Sequence, residues 1–191
     1  TVKVICQNTS SVIEVKTGTS LLELEKKLGL SEKYPMLAAY VNNRIKELNY
    51  KIFKPLAVRF IDISHFEGYR VYQRTISFIA QKAVHDLYND RKFFIRHTLG
   101  RGFYCEFADE NELSDSDIDA LRKQMQKIID ARYPIERHRM LTSDINDIYE
   151  RFGFDDKIAL LNTRPRLYSD IYCMDDMVGY FYGALTPDSG Y

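Results

Sequence analysis

The sequence predicts an α+β protein built in two parts. Short runs of alternating apolar and polar residues at the start of the chain predict strands, and one amphipathic stretch among them predicts a helix. Further along, longer stretches with apolar residues three and four positions apart predict helices, which alternate with aromatic strand-like runs. With 191 residues, 45% of them hydrophobic, the chain is long enough for one large domain or two small ones.

The first part, residues 1–63, contains predicted strands around a single helix. Ser20 and Glu23 have the spacing of a capping box and Gly29 favours a helix end, so a helix is predicted between them. The predicted strands occupy residues 2–6, 12–15, 37–41 and 58–63, with a tight turn at 42–43 leading into the apolar residues 45 and 48. Strand, strand, helix, strand, strand is the order of a β-grasp fold.

The second part, residues 64–191, is predicted to mix helices with aromatic strands. Apolar residues at helical spacing predict helices over about 71–88, 114–131 and 142–152. Aromatic and β-branched runs predict strands at 93–96, 103–107, 167–172 and 179–185. This arrangement indicates an α+β second domain.

Composition excludes several classes of protein. Lys and Arg total 27, as do Asp and Glu, so the net charge is zero and favours neither nucleic acid nor membrane as a partner of the whole chain. No apolar run approaches the roughly 18 residues of a membrane span. The three cysteines are far apart, which favours reduced thiols in a cytoplasmic protein. Because the chain opens on Thr1 and closes on a polar tail, we expect a fragment of a longer protein.

Sequence spacing indicates no catalytic group. None of the four histidines (His65, His85, His97 and His138) has another histidine four residues away, so hydrogen-bonded or solvated roles are favoured over metal ligation. Cys105 lies in an aromatic strand and is expected to be a buried thiol. The glycines at 100 and 102 indicate a hairpin turn. A phosphate-binding G-x-x-x-x-G-K-[ST] loop is absent from the sequence. We therefore predict no catalytic, cofactor-binding or metal-ligating residue.

The sequence contains two local clusters of basic residues, although the net charge of the whole chain is zero. One comprises Arg91, Lys92, Arg96 and Arg101 with Phe93, Phe94, Phe103 and Tyr104 among them; the other comprises Arg132, Arg137, His138 and Arg139. Mixed arginine and aromatic side chains suit phosphate contact with base stacking. An amphipathic strand with its aromatics inward is the commoner explanation, and both readings stay open. The candidate ligand or RNA contacts are Arg74, Lys82, Arg96, His97, Arg101 and Tyr104.

Both parts resemble modules of one enzyme family. The helix entry Thr17–Leu24 and the hairpin Ala39–Arg44 make residues 1–63 resemble a TGS domain, the ubiquitin-like β-grasp module at the front of threonyl-tRNA synthetases. From about residue 74 the chain resembles the threonyl/alanyl-tRNA synthetase editing domain that follows TGS in those enzymes. The matching stretches are residues 82–88, 102–107 and 121–129. The resemblance implies a TGS domain over 1–63 and an editing-like domain over 64–191.

The departures from that family concern the side chains of its hydrolytic site. Editing domains of the family carry an H-x-x-x-H pair on their first helix, and many carry a Cys-x-x-x-His pair near the C-terminus. In this sequence the first pair aligns with Arg74 and Phe78, and the second falls near Phe181 and Leu185. Arginine and phenylalanine cannot ligate a metal or relay a proton as histidine does. The resemblance therefore implies a retained fold with a degenerate site.

A second resemblance leads to a kinase. Residues 82–87, 126–131 and 182–187 resemble the N-terminal region of Bacteroides-type uridine kinases, in which the same two modules precede a P-loop domain. This implies a non-catalytic regulatory or binding region of an ATP-dependent uridine or nucleoside kinase, a phosphotransferase. Its kinase domain, with ATP and Mg²⁺, would lie beyond residue 191 in the same chain. RNA or a nucleotide is a further candidate partner, and neither a membrane nor DNA is expected. The alternatives are a free-standing tRNA-editing-like hydrolase and an RNA-binding adaptor.

Overall fold

The computed structural model describes residues 1–31, 33–89, 91–100, 102–109, 113–164 and 166–191. The described chain forms two compact units of mixed α/β structure. The first unit comprises Thr1–Tyr133 together with Gly183–Tyr191, and the second comprises Pro134–Tyr182.

A five-stranded mixed sheet and one helix begin the first unit. The strands are β1 (Val2–Cys6), β2 (Ser11–Val15), β3 (Ala38–Val41), β4 (Arg44–Lys46) and β5 (Leu56–Ile61), and the helix is α1 (Leu21–Leu28). Their order across the sheet is β2-β1-β5-β3-β4, with β1 and β5 parallel and the other neighbours antiparallel. Leu21 and Leu24 of α1 are fully buried in the same cluster as Val4 and Val58 of the sheet. Each of these strands and the helix buries one face, and this burial produces the alternation of apolar and polar residues from which they were predicted.

The ends of α1 are as predicted. Ser20 Oγ accepts a hydrogen bond from the Glu23 amide at 3.1 Å, and the Ser20 amide donates to Glu23 Oε2 at 2.7 Å. This reciprocal pair satisfies backbone donors that a helix start leaves unpaired. Gly29 ends the helix at φ 62°, a left-handed conformation that glycine adopts without a Cβ penalty.

Two helices and a hairpin complete the first unit. They are α2 (Phe66–Leu87), α3 (Asp115–Ala131), β6 (Phe93–Leu99) and β7 (Gly102–Phe107). The capping box at the start of α3 is formed by Ser114 and Asp117, which confirms the predicted start of this helix. Helix α2 begins five residues before the predicted position of Val71, because His65 Nδ1 accepts a hydrogen bond from the Glu67 amide at 3.2 Å and acts as an N-cap. Histidine is not among the usual N-cap residues, which explains why the sequence did not indicate this start.

The second unit is a three-stranded antiparallel sheet packed against two helices. Its elements are β8 (Ile135–Leu141), α4 (Thr142–Arg151), α5 (Asp155–Asn162), β9 (Tyr168–Met174) and β10 (Met177–Gly179), and the sheet order is β10-β9-β8. Its core includes Ile145, Tyr149, Leu161 and Ile171. The sequence did not predict β8, whose middle residues are polar, or α5, which spans only eight residues.

The predicted strand over 179–185 is wrong beyond Gly179. Gly183 has φ +129°, and the residues that follow it bond to α2 and α3 of the first unit rather than extending a strand. Ser189, fully buried, donates to the Ile128 carbonyl at 2.6 Å and accepts from the Tyr133 amide at 2.9 Å. The apolar pattern of this tail reflects burial along an irregular path. Among the helices of the described residues, none is both long and apolar enough to cross a membrane.

Gly68 provides a test of how α2 is placed. A Cβ added at this buried residue would overlap the backbone carbonyl of Asp62, which cannot move as a flexible side chain can. Glycine to alanine inside a helix normally stabilises by about 1 kcal/mol. We expect Gly68→Ala instead to lower the free energy of unfolding by about 1–3 kcal/mol because of this overlap. Urea denaturation followed by circular dichroism measures the change.

The control is Arg70→Ala on the exposed face of the same helix, where we expect a change within about 0.5 kcal/mol. An increase in stability for Gly68→Ala would contradict the close approach of α2 to Asp62.

Candidate functional site

Helix α2 carries the positions where the resemblance places the family's paired histidines. Arg74, Phe78 and Lys82 lie four residues apart and therefore on one helix face. Phe78 is fully buried and Lys82 is 3% exposed, so both side chains are part of the interior. Arg74 is only partly buried.

The guanidinium of Arg74 lies against the C-terminal segment of the first unit. Its Nε donates to the Ala184 carbonyl at 2.9 Å. A Cβ built on Gly183 would lie 2.9 Å from Arg74 Cζ, so the backbone crosses directly over the guanidinium. The absence of a side chain at Gly183 permits this approach.

Buried threonines continue this contact. The Thr186 amide donates to Thr75 Oγ1 at 3.1 Å, and Thr75 Oγ1 donates in turn to the Val71 carbonyl at 3.0 Å. Leu185 is 1% exposed. Phe181 belongs to the second unit, where its ring meets that of Tyr172 edge-on at 6.1 Å.

The side chains at the four aligned positions are thus one guanidinium, two phenyl rings and one isobutyl group. None of these groups supplies the imidazole, thiolate or carboxylate ligands that proteins use for zinc. The donor set at Arg74, Phe78, Phe181 and Leu185 therefore does not fit a bound zinc ion.

Lys82 takes part in a hydrogen-bonded chain between α2 and α3. Its Nζ donates to Asp86 Oδ1 at 3.0 Å, and Gln124 Nε2 donates to Asp86 Oδ2 at 2.7 Å. The Nζ also lies 5.8 Å from the centre of the Tyr133 ring. A buried ammonium paired in this way favours a structural role for Lys82 over the predicted ligand contact.

The hairpin of β6 and β7 brings three of the predicted contact residues together. Its register shifts between Ile95 and His97, so Arg96 and His97 both reach the face that carries Tyr104 and Glu106. The His97 and Tyr104 rings are stacked with centroids 5.2 Å apart. An alternating sequence pattern does not reveal a β-bulge. The sequence therefore could not predict that Arg96 and His97 share a face.

A cation–aromatic pair continues the same face. The Arg96 guanidinium lies 4.3 Å from the centre of the Phe94 ring, and Arg96 Nε donates to Glu106 Oε1 at 2.7 Å. Arg96, His97 and Tyr104 are exposed, with 43% of Tyr104 accessible to solvent. We call the surface formed by Phe94, Arg96, His97, Tyr104 and Glu106 the hairpin face. The sequence left open whether the aromatic residues of β7 point into the protein. Phe107 is buried, whereas Tyr104 is exposed.

Hydrogen bonds on the hairpin face favour the ionised form of Glu106 and the neutral form of Tyr104. The hydrogen bond from Arg96 lowers the pKa of Glu106, and a second bond from the Tyr104 hydroxyl acts in the same direction. The Glu106 carboxylate in turn raises the pKa of Tyr104. At neutral pH the face therefore presents one guanidinium, one carboxylate and one neutral phenol.

The remaining predicted residues are dispersed. Arg101 lies outside the described residues. Arg132 ends α3 and donates to the Gly190 carbonyl at 3.2 Å, Arg137 pairs with Asp170 at 2.7 Å, and His138 lies 3.2 Å from Glu136. These three residues of the second basic cluster are therefore engaged in separate contacts.

The expectation that Cys105 is buried is wrong. The residue is exposed on β7, because the hairpin forms a two-stranded sheet of its own whose outer half is solvated. Partial desolvation of the thiol raises its pKa, so the thiolate that a nucleophile requires is disfavoured.

Comparison with known proteins identifies relatives among the threonyl-tRNA synthetases. No family model matches the chain. The threonine–tRNA ligase of Natranaerobius thermophilus is 31% identical over 182 residues, covering 94% of this chain. The corresponding ligases of Clostridium kluyveri and Symbiobacterium thermophilum are 26% and 25% identical, over 93% and 94% of the chain. The chain spans 28% of the length of each of these relatives.

The chain is thus homologous to threonyl-tRNA synthetases over most of its length, and the kinase prediction is wrong. The matched relatives are named as ligases of threonine and tRNA, not as uridine or nucleoside kinases or other phosphotransferases. The alternative of a tRNA-related function agrees better with these relatives.

The Arg96–Glu106 pair makes a prediction about pH. Because its pKa is lowered, the Glu106 carboxylate stays ionised below the usual glutamate range, and the pair is lost only as pH falls through that lowered pKa. We expect Arg96→Gln to raise the pKa of Glu106, as read from the pH titration of its side-chain carboxyl carbon by NMR. The matched control, Arg122→Gln, removes an exposed arginine paired with Asp119 and should leave Glu106 unchanged. Equal titration midpoints in all three proteins would contradict the pairing.

Proposed function

We propose that this chain is a tRNA-binding region related to threonyl-tRNA synthetases, which contacts RNA through the hairpin face and does not hydrolyse aminoacyl esters. The observation that carries the proposal is the exposed arrangement of Arg96, His97 and Tyr104 on one face. The relatives support it because they are threonine–tRNA ligases, which act on tRNA.

The finer assignment of domains is part of the same proposal. We propose that residues 1–63 form a TGS-type β-grasp domain and that residues 64–191 derive from an editing domain. The sheet order β2-β1-β5-β3-β4, with α1 between β2 and β3, supports the first assignment. The homology over most of the chain supports the second. A cytoplasmic location accords with a tRNA partner.

The hairpin face has the two features that single-stranded RNA requires. The Tyr104 ring is exposed and held by its stack on His97, so it can accept a base on its free side; such stacking contributes about 1–3 kcal/mol per base. The Arg96 guanidinium lies over Phe94 and is fixed by Glu106, which places a cation for a phosphate next to the stacking position. The ordering of these side chains before binding reduces the entropy lost on binding.

The second candidate is a hydrolase of aminoacyl-tRNA, which the names and the resemblance favour. The chemistry of the α2 face weighs against it. The positions that would hold imidazole and thiol groups carry Arg74, Phe78, Phe181 and Leu185, and three of them are apolar. Hydrolysis would require a nucleophilic water positioned by groups other than these.

RNA binding by the full chain tests the proposal. With tRNA as the probe, we expect Tyr104→Ala to weaken binding by about 5- to 150-fold because a stacking surface is removed. We expect Arg96→Gln to weaken binding and to reduce the slope of log K against log salt by about 1, because one phosphate contact is lost. Fluorescence anisotropy at several salt concentrations measures both effects.

Three controls separate this interface from general charge effects. Tyr104→Phe keeps the ring and should bind within about threefold of wild type, and Arg122→Gln, which removes an arginine on α3, should leave the Kd and the salt slope unchanged. Glu106→Gln removes a negative charge from the face, keeps an oxygen that can accept the bond from Arg96, and should tighten binding. If Arg96→Gln and Tyr104→Ala bind like wild type, the hairpin face is not the RNA site. Release of threonine or serine from charged tRNA by the wild-type chain would support the hydrolase instead.

A further inference from the structure

A lysine amine packs against partly buried aromatic rings in the second unit. Lys157 is the third residue of α5, and its Nζ lies 3.7 Å from the centre of the Phe154 ring and 5.9 Å from that of Tyr149. Phe152 stacks on Phe154 with centroids 5.5 Å apart. The amine is therefore held against a cluster of rings.

The aromatic rings in contact with this amine carry no charge. Within the part of the chain that the structure describes, Lys157 Nζ takes part in neither an ion pair nor a hydrogen bond. Burial raises the pKa of Tyr149, which comes from α4, so its phenol stays protonated. The Asp156 carboxylate, adjacent on α5, is the charge that favours the ammonium form.

Desolvation dominates this balance. It lowers the pKa of Lys157 to about 8, against an attraction from Asp156 that acts in the opposite direction. The positive end of the α5 dipole also disfavours a cation in the first helical turn. The faces of the rings attract an ammonium, but the same rings displace part of its hydration shell. At pH 7.5 roughly a quarter of this amine is neutral, compared with about a thousandth of an exposed lysine.

We propose that Lys157 is an acylation site, which takes an acyl group from a mixed carboxylic–phosphoric anhydride such as an acyl phosphate or an acyl adenylate. The lone pair of neutral Nζ attacks the carbonyl carbon and forms the N–C bond. The C–O bond to phosphorus-bound oxygen breaks, the phosphate leaves with the electron pair, and the amine proton passes to water. The product is an uncharged amide.

The surroundings of Lys157 favour this product. Conversion of the amine into an amide removes the charge that burial among Phe152, Phe154 and Tyr149 disfavours. The greater neutral fraction outweighs the lower intrinsic nucleophilicity of a weaker base, and together they make Lys157 about tenfold more reactive than an exposed lysine near neutral pH. At high pH, where all lysines are neutral, this advantage disappears.

The test uses the full chain with acetyl phosphate in one arm and acetyl adenylate in the other, at pH 7.5 and at pH 10.5. Peptide mapping by mass spectrometry compares the acetylation rate of Lys157 with that of Lys127, an exposed lysine of α3. We expect a ratio of about ten at pH 7.5 and a ratio at or below about one at pH 10.5. Preferential labelling by either reagent supports the proposal and shows whether the donor requires the nucleotide.

A substitution of the Phe154 ring tests whether its contact with Lys157 causes the higher reactivity. Phe154→Leu opens the amine to water and should bring the ratio at pH 7.5 towards one without changing the rate at Lys127. Circular dichroism confirms that the variant is folded, and Lys157→Arg confirms the peptide assignment. The proposal is overturned if Lys157 reacts no faster than Lys127 at pH 7.5 with both reagents. It is also overturned if folded Phe154→Leu retains the wild-type ratio.

Discussion

The first unit depends on hydrogen bonds that join its C-terminal segment to two helices. The Ala184 carbonyl accepts from Arg74, the Thr186 amide donates to Thr75, and Ser189 bonds to the Ile128 carbonyl. Two of these contacts join residues 110 and 111 positions apart in sequence. A buried polar group left without its partner costs about 1–3 kcal/mol, so the segment and the helices stabilise each other. The unit is thus assembled from two distant stretches of chain.

This constraint also shapes the chemistry of the α2 face. The segment that crosses Arg74 does so at Gly183, where a side chain would meet the guanidinium. The helix face that the resemblance associates with hydrolysis is therefore used for packing, with Phe78 and Leu185 in the interior. The hairpin of β6 and β7 forms a separate sheet outside this packing, which leaves its polar face available to a partner.

Elements with strong local signals could be predicted from the sequence. The capping residues Ser20 and Ser114 start their helices as predicted, because a cap is formed by side chains within three residues of each other. Strand β8 was missed because its central residues are polar, and it exists through pairing with β9 along seven residue pairs. The short helix α5 has no side-chain cap, so no local signal marks its start.

Local chemistry in the chain was sufficient to predict a mixture of helices and strands, the order of most elements and a relationship to threonyl-tRNA synthetases. It was not sufficient to separate the candidate contacts, because burial depends on residues far away in sequence. Lys82 and Arg96 are both basic residues near aromatic ones, yet the first is interior and paired with Asp86 while the second is exposed on a hairpin. Only the tertiary structure distinguishes them. Lys157 shows the same limit, since its unusual environment is created by rings that the fold brings around it.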